Sequence, residues 1–143
     1  MEKLKLSLVY DALEMVSQES NMFIDLTKNE IVEVFDFMDK EEKEEIYFEI
    51  EENEENYLRL PNQYELNEYD RMVRFIYSLD NEEYVNKLLN AIHGKGAYRR
   101  FKDTIIYLGV RDLWFDFKKK DLIKLAKEFL EENEIEYIND LNE

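Results

Sequence analysis

The chain has 143 residues, a length that suits one globular domain. Apolar residues make up 45% of it and aromatic residues 14%, enough to build a core, which excludes disorder throughout. Asp and Glu number 35 against 19 Lys and Arg, a net charge of -16, so the chain repels nucleic acid and anionic membranes overall and attracts basic surfaces.

Taken in chain order, the apolar spacing of Leu8, Val9, Ala12, Leu13 and Val16 predicts a first helix over about Ser7 to Gln18. The alternation at Leu4, Leu6 and Leu8 is a competing strand signal, but it is short. Strands are expected at Met22–Leu26 and Ile31–Phe37, joined by Thr27-Lys28-Asn29-Glu30, where Asn29 suits a tight turn. Residues 39–56 are acid-rich and read as loop-like. Tyr57-Leu58-Arg59-Leu60 adds a candidate third strand before Pro61.

Helices dominate the remainder. Leu66, Tyr69, Val73, Ile76 and Leu79 form one stripe. Asp80 and Glu83 read as a capping box for the next helix, which carries Val85, Leu88, Leu89 and Ile92 and stops at Gly94. A further helix with Ala97, Phe101, Ile105 and Leu108 closes at Gly109. Leu122, Leu125, Ala126, Phe129 and Leu130 mark the last, and Ile135 to Ile138 either returns as a strand or frays. Three glycines and one proline leave no flexible linker. The expected fold is α+β: a single, mainly helical domain over 1–143, with a small N-terminal antiparallel hairpin or three-stranded sheet packed on four to five helices.

With no cysteine, the chain has no disulfide, thiolate zinc site or cysteine nucleophile. Met1-Glu2-Lys3-Leu4-Lys5 does not open a leader-like apolar run, and no stretch reaches the roughly 20 apolar residues of a membrane helix. The expectation is a cytoplasmic protein with no membrane contact, no metal and no cofactor.

The string Gly94-Lys95-Gly96-Ala97-Tyr98-Arg99-Arg100-Phe101-Lys102-Asp103 resembles uncharacterised protein family 0158. Supporting pieces are Ala12-Leu13-Glu14-Met15, Leu60-Pro61, Tyr69-Asp70-Arg71-Met72, Leu113-Trp114-Phe115-Asp116-Phe117 and Glu131 to Tyr137. The chain departs from the family at Asn67, where a histidine is usual, and at Phe129, where tryptophan often stands. The resemblance implies a compact intracellular domain and no particular reaction.

Two constellations could carry function. The first is Gly94, Lys95, Gly96, Arg99, Arg100 and Lys102, a cationic bend opening a helix, which suits a phosphate, a nucleotide or a partner's acidic tail. Its other reading is structural: glycines shaping a corner and arginines clamping the protein's own carboxylates, with Arg99 and Asp103 spaced for an i,i+4 pair. The P-loop spacing is missing. The second is the acidic run. Residues 30–56 hold 13 acids and two lysines, a net of -11, leaving -5 on the other 116 residues. Glu41, Glu42, Glu44, Glu45, Glu49, Glu51 and Glu52 form a candidate face for a protein with a basic surface, in the manner of a nucleic-acid mimic.

Classical enzyme chemistry finds little support. His93 is the one histidine, with no committed partner, and its place at a helix end suggests dipole contact. Trp114 and its neighbours read as core rather than a stacking platform. The leading expectation is a non-catalytic interaction module. The alternative is a protein or enzyme binding a phosphorylated ligand at Gly94–Lys102, and RNA binding at the same corner is a weaker one.

Overall fold

The computed structural model describes residues 2–142 and divides the chain into two compact units. A split unit is formed by Met1–Leu66 with Leu122–Glu143, and a helical unit by Asn67–Asp121. The fold is α+β, as expected.

In the split unit, β2 (Ser20–Asp25) and β3 (Glu30–Phe35) pair as an antiparallel hairpin, Ser20 opposite Phe35 and Asp25 opposite Glu30. Asn29 takes φ 52° in the connection, a left-handed conformation that asparagine tolerates better than most residues. β4 (Tyr57–Arg59) adds antiparallel to the other edge of β2, giving the order β3-β2-β4. Met22 and Ile24 point to one face of this sheet, where they are buried with Leu60 against Leu6, Val9, Ala12 and Leu13 of α1 (Leu6–Glu14) and Leu122, Ile123, Ala126 and Leu130 of the last helix. Phe23 belongs to the opposite face and meets Tyr47 edge-on at 6.1 Å.

Helix α1 ends four residues before the predicted Gln18, with the Met15 N–H bonded to the Ala12 carbonyl and the Val16 N–H to the Leu13 carbonyl. Leu4 is not part of it. Leu4–Lys5 forms β1 and pairs in parallel with β5 (Tyr137–Ile138). The strand signal at Leu4 and the returning C-terminal segment therefore answer each other.

The acid-rich segment is not a loop. Lys40–Glu52 forms helix α2, followed by one 3₁₀ turn at Glu54–Asn56 that delivers the chain to β4. Lys43, Ile46, Tyr47 and Ile50 supply its half-buried side, and the Tyr47 hydroxyl accepts from Asn21 Nδ2 at 3.1 Å. The spacing 43, 46, 47, 50 is helical, and the glutamates between these residues obscure it.

The one-turn α3 (Gln63–Leu66) ends the first segment of the split unit, and the helical unit follows with α4 (Glu68–Ser78), α5 (Glu82–Ala91) and α6 (Ala97–Leu108). α7 (Arg111–Glu132) belongs to the helical unit through Asp121 and to the split unit from Leu122. Asn81 caps α5 by accepting from the Tyr84 N–H, so the predicted Asp80–Glu83 box is displaced by one residue. The buried face of α4 is also rotated from the predicted stripe: Arg71, Met72, Phe75 and Ile76 are inside, and Tyr69 is exposed. Phe75, Phe101 and Trp114 form the centre of this core with Leu88, Ile92, Ile105 and Val110. α6 stops at Gly109, φ 74°, where the Gly109 and Val110 N–H groups bond to the Ile106 and Ile105 carbonyls. Among the described residues, no helix is long and apolar enough to cross a membrane.

Candidate functional site

The two units differ in charge. The helical unit carries 9 Asp and Glu against 11 Lys and Arg, a net of +2. The split unit carries 26 against 8, a net of -18. The anionic character of the protein therefore belongs entirely to the split unit.

Helix α2 carries the densest part of that charge. Glu41, Glu42, Glu44, Glu45, Glu49, Glu51 and Glu52 are all exposed, and α2 buries no residue fully. Glu41 and Glu42 lie in the first turn, where the helix dipole favours them. Glu51 and Glu52 lie in the last turn, where it does not, and no basic residue offsets them there. Lys40 reaches Glu44 at 3.9 Å, but both side chains are mostly in water, so the pair neutralises little. Phe48, 63% exposed, stands on the same outward side, with Glu44, Glu45, Glu51 and Glu52 at the three- and four-residue spacings that make helix neighbours.

The cationic bend lies in the helical unit between α5 and α6. Gly94 and Gly96 take φ 69° and 76°, conformations that side-chain-bearing residues rarely adopt. Gly96 has a second constraint, since a Cβ there would meet Arg100 Nη1 at 3.0 Å. Lys95, Arg99 and Lys102 are exposed, with the Lys102 ammonium 5.4 Å from the centre of the Tyr98 ring.

Arg100 serves the chain itself. Its Nε donates to the Ala91 carbonyl at 2.8 Å, Nη1 to the Lys95 carbonyl at 2.6 Å, and Nη2 to the His93 carbonyl. The Ala91 oxygen is left over at the end of α5 and the His93 and Lys95 oxygens belong to the connection, so the guanidinium caps α5 and pins the bend from the next helix. The clamp holds carbonyls, not carboxylates as the sequence suggested. Among the described residues, Arg99 makes no ion pair with Asp103 or any other carboxylate. Replacing Arg100 with alanine should lower the stability of the helical unit by roughly 1–2 kcal/mol. Arg100→Lys should recover little of it, since one ammonium cannot reproduce the fork. The fluorescence of Trp114, the one tryptophan and a core residue of this unit, checks both in urea unfolding.

A second charged group escaped the sequence reading. Arg71, 1% exposed, donates from Nε to Asp121 Oδ2 at 2.6 Å and from Nη1 to Glu68 Oε2 at 2.6 Å. Arg74 grips the same Asp121 at 2.8 and 3.1 Å and Asp70 at 2.9 Å. Lys118 stands 3.6 Å from Glu68. The guanidinium groups hold the Asp121 carboxyl below the usual aspartate range even though burial pushes it up. The available signal was an arginine at the core-facing position of a helix, beside Met72 and Phe75.

Trp114 is core, as expected, with Phe101 at 4.8 Å and Phe75 at 5.3 Å. His93 is exposed, and its carbonyl is one of the three oxygens Arg100 binds. Among the described residues, no three His, Cys, Asp or Glu side chains converge to hold a metal ion. No curated protein and no solved structure matches the chain. A family model does: residues 2–142 match uncharacterised protein family UPF0158, and the chain belongs to that family.

Proposed function

We propose that the protein is a non-catalytic interaction module whose α2 face docks on the basic surface of another protein. The observation that carries this reading is the segregation of charge, -18 on the split unit against +2 on the helical unit, with α2 as a formed and fully solvated line of carboxylates. Glu41 to Glu52 puts seven glutamates along about 18 Å of helix axis. One charge per roughly 2.6 Å falls between the axial densities of duplex and single-stranded nucleic acid, which supports mimicry of nucleic acid toward a basic groove. The last turn of α2 supports it too, because Glu51 and Glu52 oppose the helix dipole and a purely structural helix gains nothing from them.

The test is association with a basic partner protein measured against salt. Raising salt from about 50 to about 500 mM should slow association steeply, and the variant E44K/E45K/E51K/E52K should slow it roughly 10- to 100-fold at the lower salt. The same variant should leave the fold intact or stabilise α2 slightly, since it places cations in the last turn. A salt-independent association rate, or an unchanged rate for the variant, would sink the proposal.

The second reading is an anion site at the start of α6. It is favoured by the exposure of Lys95, Arg99 and Lys102 around an N-cap glycine with no side-chain cap. A phosphorylated small molecule is the expected ligand, and a thermal-shift screen of nucleotides and sugar phosphates decides it.

A further inference from the structure

We propose that the outer edge of β3 takes up an extended segment of a basic partner protein as a fourth strand of the sheet, with a lysine or arginine of that segment opposite Glu33. This rests on the reading of the split unit as a receptor for basic partners, and adds a second point of contact and the conformation of what is held there.

The hydrogen-bond pattern shows which backbone groups of β3 are spare. The Leu60 N–H bonds to the Met22 carbonyl at 2.9 Å, and the Leu26 N–H to the Asn56 carbonyl at 2.8 Å. Met22, Ile24 and Leu26 therefore turn their backbone groups toward β4. Asn21, Phe23 and Asp25 turn theirs toward β3, where they meet Val34, Val32 and Glu30. Ile31, Glu33 and Phe35 are left facing away from the sheet. The Phe35 carbonyl accepts from the Met38 N–H at 3.1 Å. Among the described residues, the N–H and C=O groups of Ile31 and Glu33 have no partner, nor has the Phe35 N–H. β3 runs for six residues, against three for β4 on the other side of the sheet. An unpaired edge of that length is a template for another strand.

The usual protections of an edge are missing. The β2–β3 register runs unbroken through six pairs, so no bulge bends the edge away. Glu30 to Asp39 contains no proline, lysine or arginine. One carboxylate stands in their place. Glu33 pairs with Met22 and so shares the face that carries Ile31 and Phe35. Its Oε2 accepts from the Ser20 hydroxyl at 2.7 Å, which holds the side chain at the edge.

Glu33 selects the occupant by charge. Full antiparallel pairing of two copies of β3 sets Ile31 against Phe35 and Glu33 against Glu33, and like charges directly opposite destabilise a pair. A lysine or arginine in that position is attracted instead. Glu30, Asp36 and Asp39 extend the same sign along the segment. An apolar anchor lies at its end, where Phe37, 76% exposed, stacks on Phe35 at 4.9 Å. The complementary strand alternates basic and apolar residues, one basic residue meeting Glu33 and apolar ones meeting Ile31 and Phe35.

Amide hydrogen exchange of the full chain, followed by NMR, tests this with a capped peptide, Lys-Ile-Thr-Lys-Thr-Ile-Lys. Aligned antiparallel, its central lysine meets Glu33, its isoleucines meet Ile31 and Phe35, and its outer lysines meet Glu30 and Asp36. Binding is expected to slow exchange at Ile31 and Glu33 about tenfold or more, and to change Val32 and Val34 little, since these already bond to β2. N-methylation of the central lysine removes a bond to the edge and should weaken binding roughly tenfold. N-methylation of a neighbouring threonine, whose N–H points away, should be tolerated. Glu33→Pro loses no bond to β2, because that N–H faces outward, and should abolish binding. Glu33→Lys should shift preference to the peptide with glutamates in place of lysines. No binding, binding without protection of Ile31 and Glu33, or equal loss from the two N-methylations overturns the edge. In that event, loss of a basic partner's binding in E44K/E45K/E51K/E52K would still leave the acidic face standing. No effect of that variant on the partner, with edge protection intact, removes the acidic face and keeps the edge.

Discussion

Asp121→Ala is expected to destabilise the helical unit by about 3–5 kcal/mol. The carboxylate is 8% exposed and accepts from two guanidinium groups, one of which is itself buried. Alanine would leave Arg71 sealed in the unit with only Glu68 beside it, and its Nη2 already lacks a hydrogen-bond partner. Arg74 can turn to Asp70 and to water, so most of the loss falls on Arg71. Urea unfolding followed by Trp114 emission reports this unit. A loss below about 1 kcal/mol would mean that the network contributes no more than a surface ion pair does.

The same carboxylate sets a pH signature. Its folded pKa is depressed, so its stabilisation is fully present above the ordinary aspartate range and is lost as pH falls through the depressed value. In acid the wild-type protein should lose stability steadily below about pH 4, and Asp121→Asn should be weaker at neutral pH with a shallower acid limb. Parallel acid limbs in the two proteins would assign the proton uptake to other carboxylates.

What could be read from the sequence follows from how far each signal reaches along the chain. The hairpin, the Asn29 turn, the Gly109 stop and the α6 stripe are set by residues within a turn or two of each other, and all were legible. β1 was not, because Leu4 finds its partner Tyr137 at the opposite end of the chain. α2 was misjudged as loop because glutamates swamp the 43, 46, 47, 50 spacing. The role of Arg100 was half visible: a clamp was foreseeable, but its partners are backbone carbonyls, which every residue owns and no pattern advertises. Arg71 needs Asp121, fifty residues on, to be understood.

Phe75 gives the complementary prediction on the apolar side of the same unit. Its ring meets Phe101 at 6.1 Å, Trp114 at 5.3 Å and Phe117 at 5.5 Å, all edge-on, the arrangement aromatic quadrupoles favour. At 1% exposure it has no water to fall back on. Phe75→Ala should therefore cost about 3–5 kcal/mol, the transfer free energy of the ring plus the cavity left among three aromatic neighbours. Phe75→Leu keeps part of the volume but loses the edge contacts, and should cost about half as much. Phe115 is the control. It stands one residue from Trp114, yet it is 50% exposed with the Arg111 guanidinium 5.2 Å from its ring centre. Phe115→Ala should change stability by no more than about 0.5 kcal/mol. Unfolding midpoints that ranked Phe115 with Phe75 would show that the aromatic run after Val110 packs as one block, whereas the structure divides it between core and surface.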